Sequence, residues 1–536
     1  MASIALDGSS LDLEAVSAVA WHNAHVELTD DARVAMERSR AWVEQAASGQ
    51  LTDADGKPLT VYGVNTGYGS LARVRIGAGD ISRLSWNLVR SHAAGVGRPV
   101  EEPVVRAMML LRANALAKGA SGCRSEIVDT LGAMLNAGLT PEVPSQGSCG
   151  SSGDLAPLCH LALVVFRDEA DDPRESGVAW LMGERLDGRA AMERAGIERL
   201  VPGPKDGLAM SNGAQLSTAY AALACWDAGR LVLAAEIAAA LSWEALRGVS
   251  RALHPDVHAL RPYRGAIACA ANLRRLLKGS ELVDSLPDKV QDAYSLRCTP
   301  QVLGAVRDGI RFASEQVKIE LNAATDNPLI LLDAEDVNKA YSAGLFHGEP
   351  VGLASDHLKL SLCELGSISE RRTYRLTTGS LSARLPPHLI RGDRPGMGMM
   401  VPQTTAAALV SENRSLAWPA SADSIPTCED QEDHVAMSTT AARRASEVLG
   451  NCVSVVAIEL LAAAHGVWAR LDEEPDVKLG EGTRAALQAI EEVLGGRRPT
   501  VVPSEDIEAL DEALRDGRIL QAVEAKIGRL TGVLDE

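Results

Sequence analysis

Between Pro144 and Pro157 the chain reads Pro-Ser-Gln-Gly-Ser-Cys-Gly-Ser-Ser-Gly-Asp-Leu-Ala-Pro, a run of small hydroxyl residues and glycines that leads into an apolar segment. Residue chemistry alone gives this string two readings. It is a Gly/Ser turn before a helix capped by Asp154, or an anion-binding nest at a helix N-terminus. No Lys follows the glycines, so a phosphate-binding P-loop is a poor match. A second chemistry-bearing block runs Val290-Gln-Asp-Ala-Tyr-Ser-Leu-Arg-Cys298. Gln291, Tyr294 and Arg297 are spaced by three, which on a helix puts them on one face. Arg297 suits a substrate carboxylate through a two-pronged, charge-assisted contact. Gln291 and Tyr294 add a neutral amide and a phenol to that face. The competing reading is a polar network between helices.

The longer string from Gly147 to Leu158, in the pattern GSxxxSGDLAPL, resembles the signature of the aromatic amino acid ammonia-lyase and 2,3-aminomutase family. The motifs are nearest to those of its histidine-acting members. In that family a three-residue segment, usually Ala-Ser-Gly, cyclises autocatalytically into 4-methylideneimidazol-5-one (MIO). The resemblance implies an MIO made here from Ser151, Ser152 and Gly153. The amide nitrogen of the third residue attacks the carbonyl of the first, so glycine keeps the approach open. The middle serine then loses water and leaves an exocyclic methylene. Ser151 stands where most members have Ala, and its side chain is expected only to decorate the ring. Such an electrophile is needed because an amino group leaves poorly and no ordinary side chain can capture it. No metal and no diffusible cofactor is implied.

The resemblance extends from about residue 12 to the C-terminal region and recurs in separate blocks. Tyr62-Gly-Val-Asn-Thr-Gly-Tyr-Gly69 could be a Gly-rich turn with a packed tyrosine. The family assigns the first tyrosine, here Tyr62, as the base for the β-proton, with Gly69 beside the substrate. A phenol does this only when its anion is stabilised by donors and positive charge. His92, in Arg90-Ser-His-Ala-Ala-Gly95, could be a structural histidine. By resemblance it lines the pocket for the substrate ring. Asn212 could be a helix N-cap. By resemblance it hydrogen-bonds the oxygen of the prosthetic ring and makes the methylidene more electrophilic. Phe346 is expected against the substrate or the ring. Glu432 is expected to handle an imidazole or an amine proton, as in histidine-acting relatives. Arg297, with Gln291 and Tyr294, completes the implied set. The departures are Leu345 inside the pocket, Cys428-Glu429-Asp430 before Gln431, and Arg394-Pro-Gly-Met-Gly-Met-Met400. They cluster at substrate-facing loops.

These blocks need a scaffold to bring them together. The 536 residues suffice for a large core and two or three domains. Proline is absent from 205–254, 301–327, 351–385 and 427–474. These windows are rich in helix-favouring Ala, Leu and Glu. Val351, Ala354, Leu358, Leu362 and Leu365 form one apolar helical stripe. The apolar runs 231–243 and 453–468 each carry a glutamate and are short for a membrane span, so they read as buried helices. The expected fold is mainly α. It has a long central helical bundle like that of the aspartase/fumarase superfamily and a smaller mixed N-terminal domain. The expected divisions are 1–205 with the base and MIO-forming loops, 206–470 for the bundle, and 471–536 for a C-terminal helical cap.

The net charge of -18, from 53 Lys+Arg against 71 Asp+Glu, argues against nucleic acid or an anionic membrane as partner. Nine dispersed cysteines without a CxxC read as reduced thiols. The start MASIALDGSSLDLEAV lacks a basic region and a long apolar run. A cytoplasmic enzyme is expected. Family members are homotetramers with shared active sites, and that assembly is implied here. The implied activity is ammonia elimination from an aromatic amino acid, with His92 and Glu432 favouring histidine and urocanate as product. The alternative is a 2,3-aminomutase, or a lyase, acting on tyrosine or a related ring. A more remote one is a non-catalytic homologue.

Overall fold

The structure is a computed structural model that describes residues 3–69, 72–391 and 396–534. It is mainly α, as expected. The chain forms two compact units. The first comprises Met1–Leu223, Glu315–Asp356 and Pro419–Arg443; the second comprises Ala224–Ser314, His357–Trp418 and Arg444–Glu536.

Every strand among the described residues falls in the first unit, and each has two to four residues. Ile4–Leu6 pairs in parallel with Val26–Leu28. Leu139–Pro141, Val178–Leu181 and Glu184–Asp187 form an antiparallel sheet. Val96–Pro99 pairs antiparallel with Pro144–Gln146, so the Gly/Ser loop begins at a fixed strand end. Helix Glu102–Ala117 is buried on all sides from Val104 onward. It therefore carries polar residues that must find partners inside. Its Arg112 donates to the Asn212 carbonyl at 2.8 Å and to Gln215 Oε1 at 3.0 Å. A fully buried Lys205–Asp326 pair at 2.7 Å holds the chain just before the short helix Asp206–Ser211. Asp206 itself accepts from Arg40 and Arg124. Asn212 is thus fixed from two sides.

The second unit contains helices Arg264–Leu276, Met400–Leu416, Glu481–Leu494, Pro503–Arg515 and Arg518–Ile527. The apolar runs foreseen at 231–243 and 453–468 lie within helices Gln215–Ala245 and Ser438–Glu473. Their glutamates are ion-paired inside the bundle. Glu236 meets Arg307 at 3.1 Å. Glu459 accepts from Arg372, Ser242 and Ser369. Buried carboxylates with several donors are tolerable where bare ones are not. Helix Ser438–Glu473 is long and apolar enough to cross a membrane, yet 94% of its most apolar window is buried within the protein. The stripe of Val351, Ala354, Leu358, Leu362 and Leu365 is buried along helix Glu349–Thr377.

Candidate active site

The Gly/Ser loop is pinched against a second turn. Gly153 bridges Gly213, and Asp154 N donates to the Gly213 carbonyl at 2.7 Å. Gly153 has φ +77°, and a Cβ there would lie 2.3 Å from Gly213 C and O. Only glycine fits this approach. Across the same turn Asn212 Nδ2 donates to the Ser152 carbonyl at 2.8 Å. Asn212 is therefore no N-cap: it follows helix Asp206–Ser211 and spends its amide on the loop.

Asp154 does not cap helix Leu155–Val165 with its side chain. Its carboxylate is fully buried and takes Ser148 Oγ at 2.7 Å, Ser217 N at 2.8 Å, Ser217 Oγ and Thr439 Oγ1. Four donors on one carboxylate lock the floor of the loop.

Above the floor lies a cavity of about 630 Å³ lined by Tyr62, Gly69, His92, Ser151, Ser152, Asn212, Phe346 and Glu432, all of the first unit. Sequence blocks hundreds of residues apart thus meet in one place. Glu432 stands directly over the triad. Its Oε2 accepts from Ser151 Oγ at 2.7 Å and Thr427 Oγ1 at 2.7 Å, and its Oε1 accepts from Ser152 Oγ. Burial pushes the Glu432 carboxyl up, but the hydroxyls of Ser152, Ser151 and Thr427 and the Cys428 thiol hold it below the usual value. The Ser151 hydroxyl, expected only to decorate the ring, bonds Glu432.

Glu432 is delivered by a tight turn. Thr427 and Glu432 exchange two backbone hydrogen bonds. Cys428, Glu429 and Asp430 between them all have φ from 52° to 61°. Such left-handed residues cost about 1–2 kcal/mol each without glycine. The departures noted at 428–430 are thus the strained turn that aims the carboxylate.

Tyr62 Oη receives the Gly69 N–H at 3.1 Å. That donor sits on the oxygen that would be left negative by proton loss. Burial, with Tyr62 next to it, drives the neighbouring Tyr68 phenol well above its usual range. Burial thus disfavours the Tyr68 phenolate. His92 is the last residue of helix Ile81–His92, and its Nδ1 lies 2.9 Å from the Leu88 carbonyl. A proton on Nδ1 satisfies that carbonyl and leaves Nε2 as an acceptor. Burial lowers its pKa and favours the neutral ring.

Three expected residues are not in this cavity. Gln291, Tyr294 and Arg297 belong to the second unit. They do not share one helical face, because helix Tyr294–Arg297 is a single turn and Gln291 precedes it in irregular chain. The Arg297 guanidinium lies over the Tyr294 ring at 4.8 Å, and its Nε is buried without a hydrogen-bond partner. Leu345, expected inside the pocket, is 49% exposed and does not line the cavity. Of the 394–400 string, Arg394 and Pro395 lie outside the described residues. Sequence reasoning missed Thr427, whose spacing from Glu432 signals nothing by itself. It also missed His347 and His434, a stacked pair on the cavity wall with centroids 5.8 Å apart. Among the described residues no group of three or more His, Cys, Asp or Glu is arranged to hold a metal ion.

Comparison with known proteins places the chain in a family. The family model described as "Aromatic amino acid lyase" matches residues 11–492. A histidine ammonia-lyase of Alkaliphilus oremlandii is 44% identical over 98% of this chain and 99% of its own. The histidine ammonia-lyase structure from Trypanosoma cruzi superposes with a TM-score of 0.88 at 36% identity, over 99% of this chain and 98% of its own. Tyrosine aminomutase from Streptomyces globisporus gives a TM-score of 0.89 at 34% identity, over 98% and 99%. With residues 11–492 matched by the family model and these relatives covered nearly end to end, the chain belongs to the aromatic amino acid lyase family.

Proposed function

We propose that this protein eliminates ammonia from histidine, giving urocanate, with an MIO group formed from Ser151, Ser152 and Gly153. The observation that carries the reading is the Asn212 amide on the Ser152 carbonyl at 2.8 Å. Ring closure between Gly153 N and Ser151 C would make that carbonyl oxygen the ring oxygen, so the donor already stands where it would polarise the group. The close approach of Gly153 to Gly213 supports the same fit, since it presses the loop into a sharp bend. When formed, the group supplies an electrophile for the substrate amine.

The remaining roles fall to the chain's own residues. Tyr62 takes the β-proton, helped by the Gly69 N–H on its oxygen. The Cα–N bond then breaks, the Cα=Cβ bond forms, and the nitrogen leaves as ammonia. Neutral His92 and ionised Glu432 present acceptors to imidazole or ammonium N–H groups, a lining suited to histidine more than to a plain phenyl ring. Phe346 packs against the ring face. Arg297, with its unpartnered Nε, is the carboxylate clamp, with Gln291 and Tyr294 beside it. These three would reach the cavity of another copy in a homotetramer, as family resemblance implies. A cytoplasmic setting suits the nine free cysteines.

A second reading is a 2,3-aminomutase acting on tyrosine, favoured by the likeness to the Streptomyces globisporus enzyme. Histidine, tyrosine and phenylalanine supplied in turn separate the two. Absorbance of the unsaturated acid and chromatography for β-amino acids are followed together. Urocanate from histidine is the expected result. No turnover of histidine, with a β-amino acid from another substrate, rejects the first reading.

A further inference from the structure

Ser151 carries a hydroxyl that ring closure does not use. In the closure proposed above, the Gly153 N–Ser151 C bond forms and the Ser151 carbonyl oxygen leaves as water with the amide hydrogens of Gly153 and Ser152. The second water takes the Ser152 hydroxyl and the Ser152 α-hydrogen. Ser151 Oγ survives both losses. It donates to Glu432 Oε2 at 2.7 Å, beside Thr427 Oγ1 at the same distance on the same oxygen. Ser152 Oγ, the group that departs, holds the other oxygen, Oε1.

We propose that Ser151 is a positioning residue for Glu432: its hydroxyl and that of Thr427 clamp Oε2 throughout, and loss of the Ser152 hydroxyl leaves Oε1 as the open acceptor for a substrate N–H. The carboxylate is thereby aimed by the same segment that forms the prosthetic group. The turn that delivers Glu432 has three consecutive left-handed residues, and the two hydroxyls fix the orientation of the carboxylate at its end. Other titratable groups near Glu432 are His92, Cys149 and Cys428. Of these the Cys428 thiol also donates to the carboxylate, as a weaker donor than the two hydroxyls. The inference rests on the histidine-lyase reading, because it requires a ligand with an N–H to offer Oε1.

The test uses full-length protein that cannot form the methylidene. Ser152→Ala removes the departing hydroxyl and so frees Oε1 without the electrophilic methylidene. Urocanate binding to this variant is measured by calorimetry, then again with Ser151→Ala or Ser151→Thr added. A hydrogen bond to a charged group is worth enough that Ser152→Ala/Ser151→Ala should bind roughly tenfold more weakly. Ser152→Ala/Ser151→Thr, which keeps the hydroxyl, should restore the affinity. In the otherwise native chain, Ser151→Ala should still lose both waters from the loop. Its kcat/KM should fall, and the acidic limb of its pH profile should move to higher pH, since Glu432 loses a donor to its ionised form. Equal urocanate affinity with and without the Ser151 hydroxyl overturns the proposal and leaves the lyase reading standing. Failure of Ser152→Ala alone to bind urocanate overturns the histidine reading, and the proposal with it.

Discussion

Gly153→Ala is the perturbation whose cost the structure defines most sharply. At φ +77° an alanine costs about 1–2 kcal/mol relative to glycine. Its Cβ would also stand 2.3 Å from Gly213 C and O and 2.6 Å from Gly213 Cα. These are backbone atoms, so no side-chain rotation relieves the contact, and overpacking of this kind costs about 1–3 kcal/mol more. The sum, about 2–5 kcal/mol, lowers the population of the pinched loop roughly thirty- to several-thousandfold. Mass spectrometry of the loop peptide should show little or no loss of water, with turnover reduced in step. Gly138→Ala is the control. Gly138 has φ +68° as the C-cap of helix Ser125–Ala137, but a Cβ there meets nothing within 4 Å. That variant should pay only the conformational part and mature fully. If Gly153→Ala loses both waters as completely as Gly138→Ala, the close approach to Gly213 does not shape the loop and the argument is wrong.

Other outcomes follow from the same geometry. Asn212→Ala removes the donor on the Ser152 carbonyl; kcat should fall roughly a hundredfold or more, by analogy with deletion of one oxyanion donor, which single-turnover kinetics on the matured fraction would measure. Tyr62→Phe keeps the packing but loses the base, so the loop should lose its waters normally while the elimination rate drops by about two to four orders of magnitude. His465 is buried among Arg391, Asp506 and Arg498, and burial, with the two arginines, pulls its pKa down to about 4. Between that value and the ordinary 6.5 the unfolded chain binds a proton that the folded chain does not. Stability should therefore fall as pH drops through this window, by on the order of 3 kcal/mol when complete. His465→Gln should flatten that part of a urea-midpoint profile against pH, and an unchanged profile would refute the assignment.

The reach of sequence reasoning differed between parts of the molecule for physical reasons. Helices were legible because proline-free, Ala- and Leu-rich windows and a three-four apolar stripe, as at Val351 to Leu365, leave few other solutions. Strands of two to four residues are too short to display an alternating pattern. The order in which stretches join is equally hidden, since 315–356 and 419–443 associate with residues 1–223 by packing rather than by local signal. Within the site, Ser152, Gly153, Asn212, Tyr62, His92, Phe346 and Glu432 were visible as motif blocks. The Ser151 hydroxyl was not, because its partner Glu432 is 281 positions away. The alternative reading of Asp154 as a helix cap does not hold, because Ser148, Ser217 and Thr439 take its carboxylate in place of the helix N-terminus. Spacing by three suggested one face for Gln291, Tyr294 and Arg297, but spacing speaks only where a helix exists, and it begins at Tyr294.

The central claim is that Ser151-Ser152-Gly153 becomes an electrophile, and the mass of the peptide containing it tests that most directly. In the purified native protein this peptide should be lighter by two water molecules, and in Ser152→Ala it should not undergo the second loss. A native peptide at its full unmodified mass, in protein that still converts an amino acid to the unsaturated acid, would contradict the account.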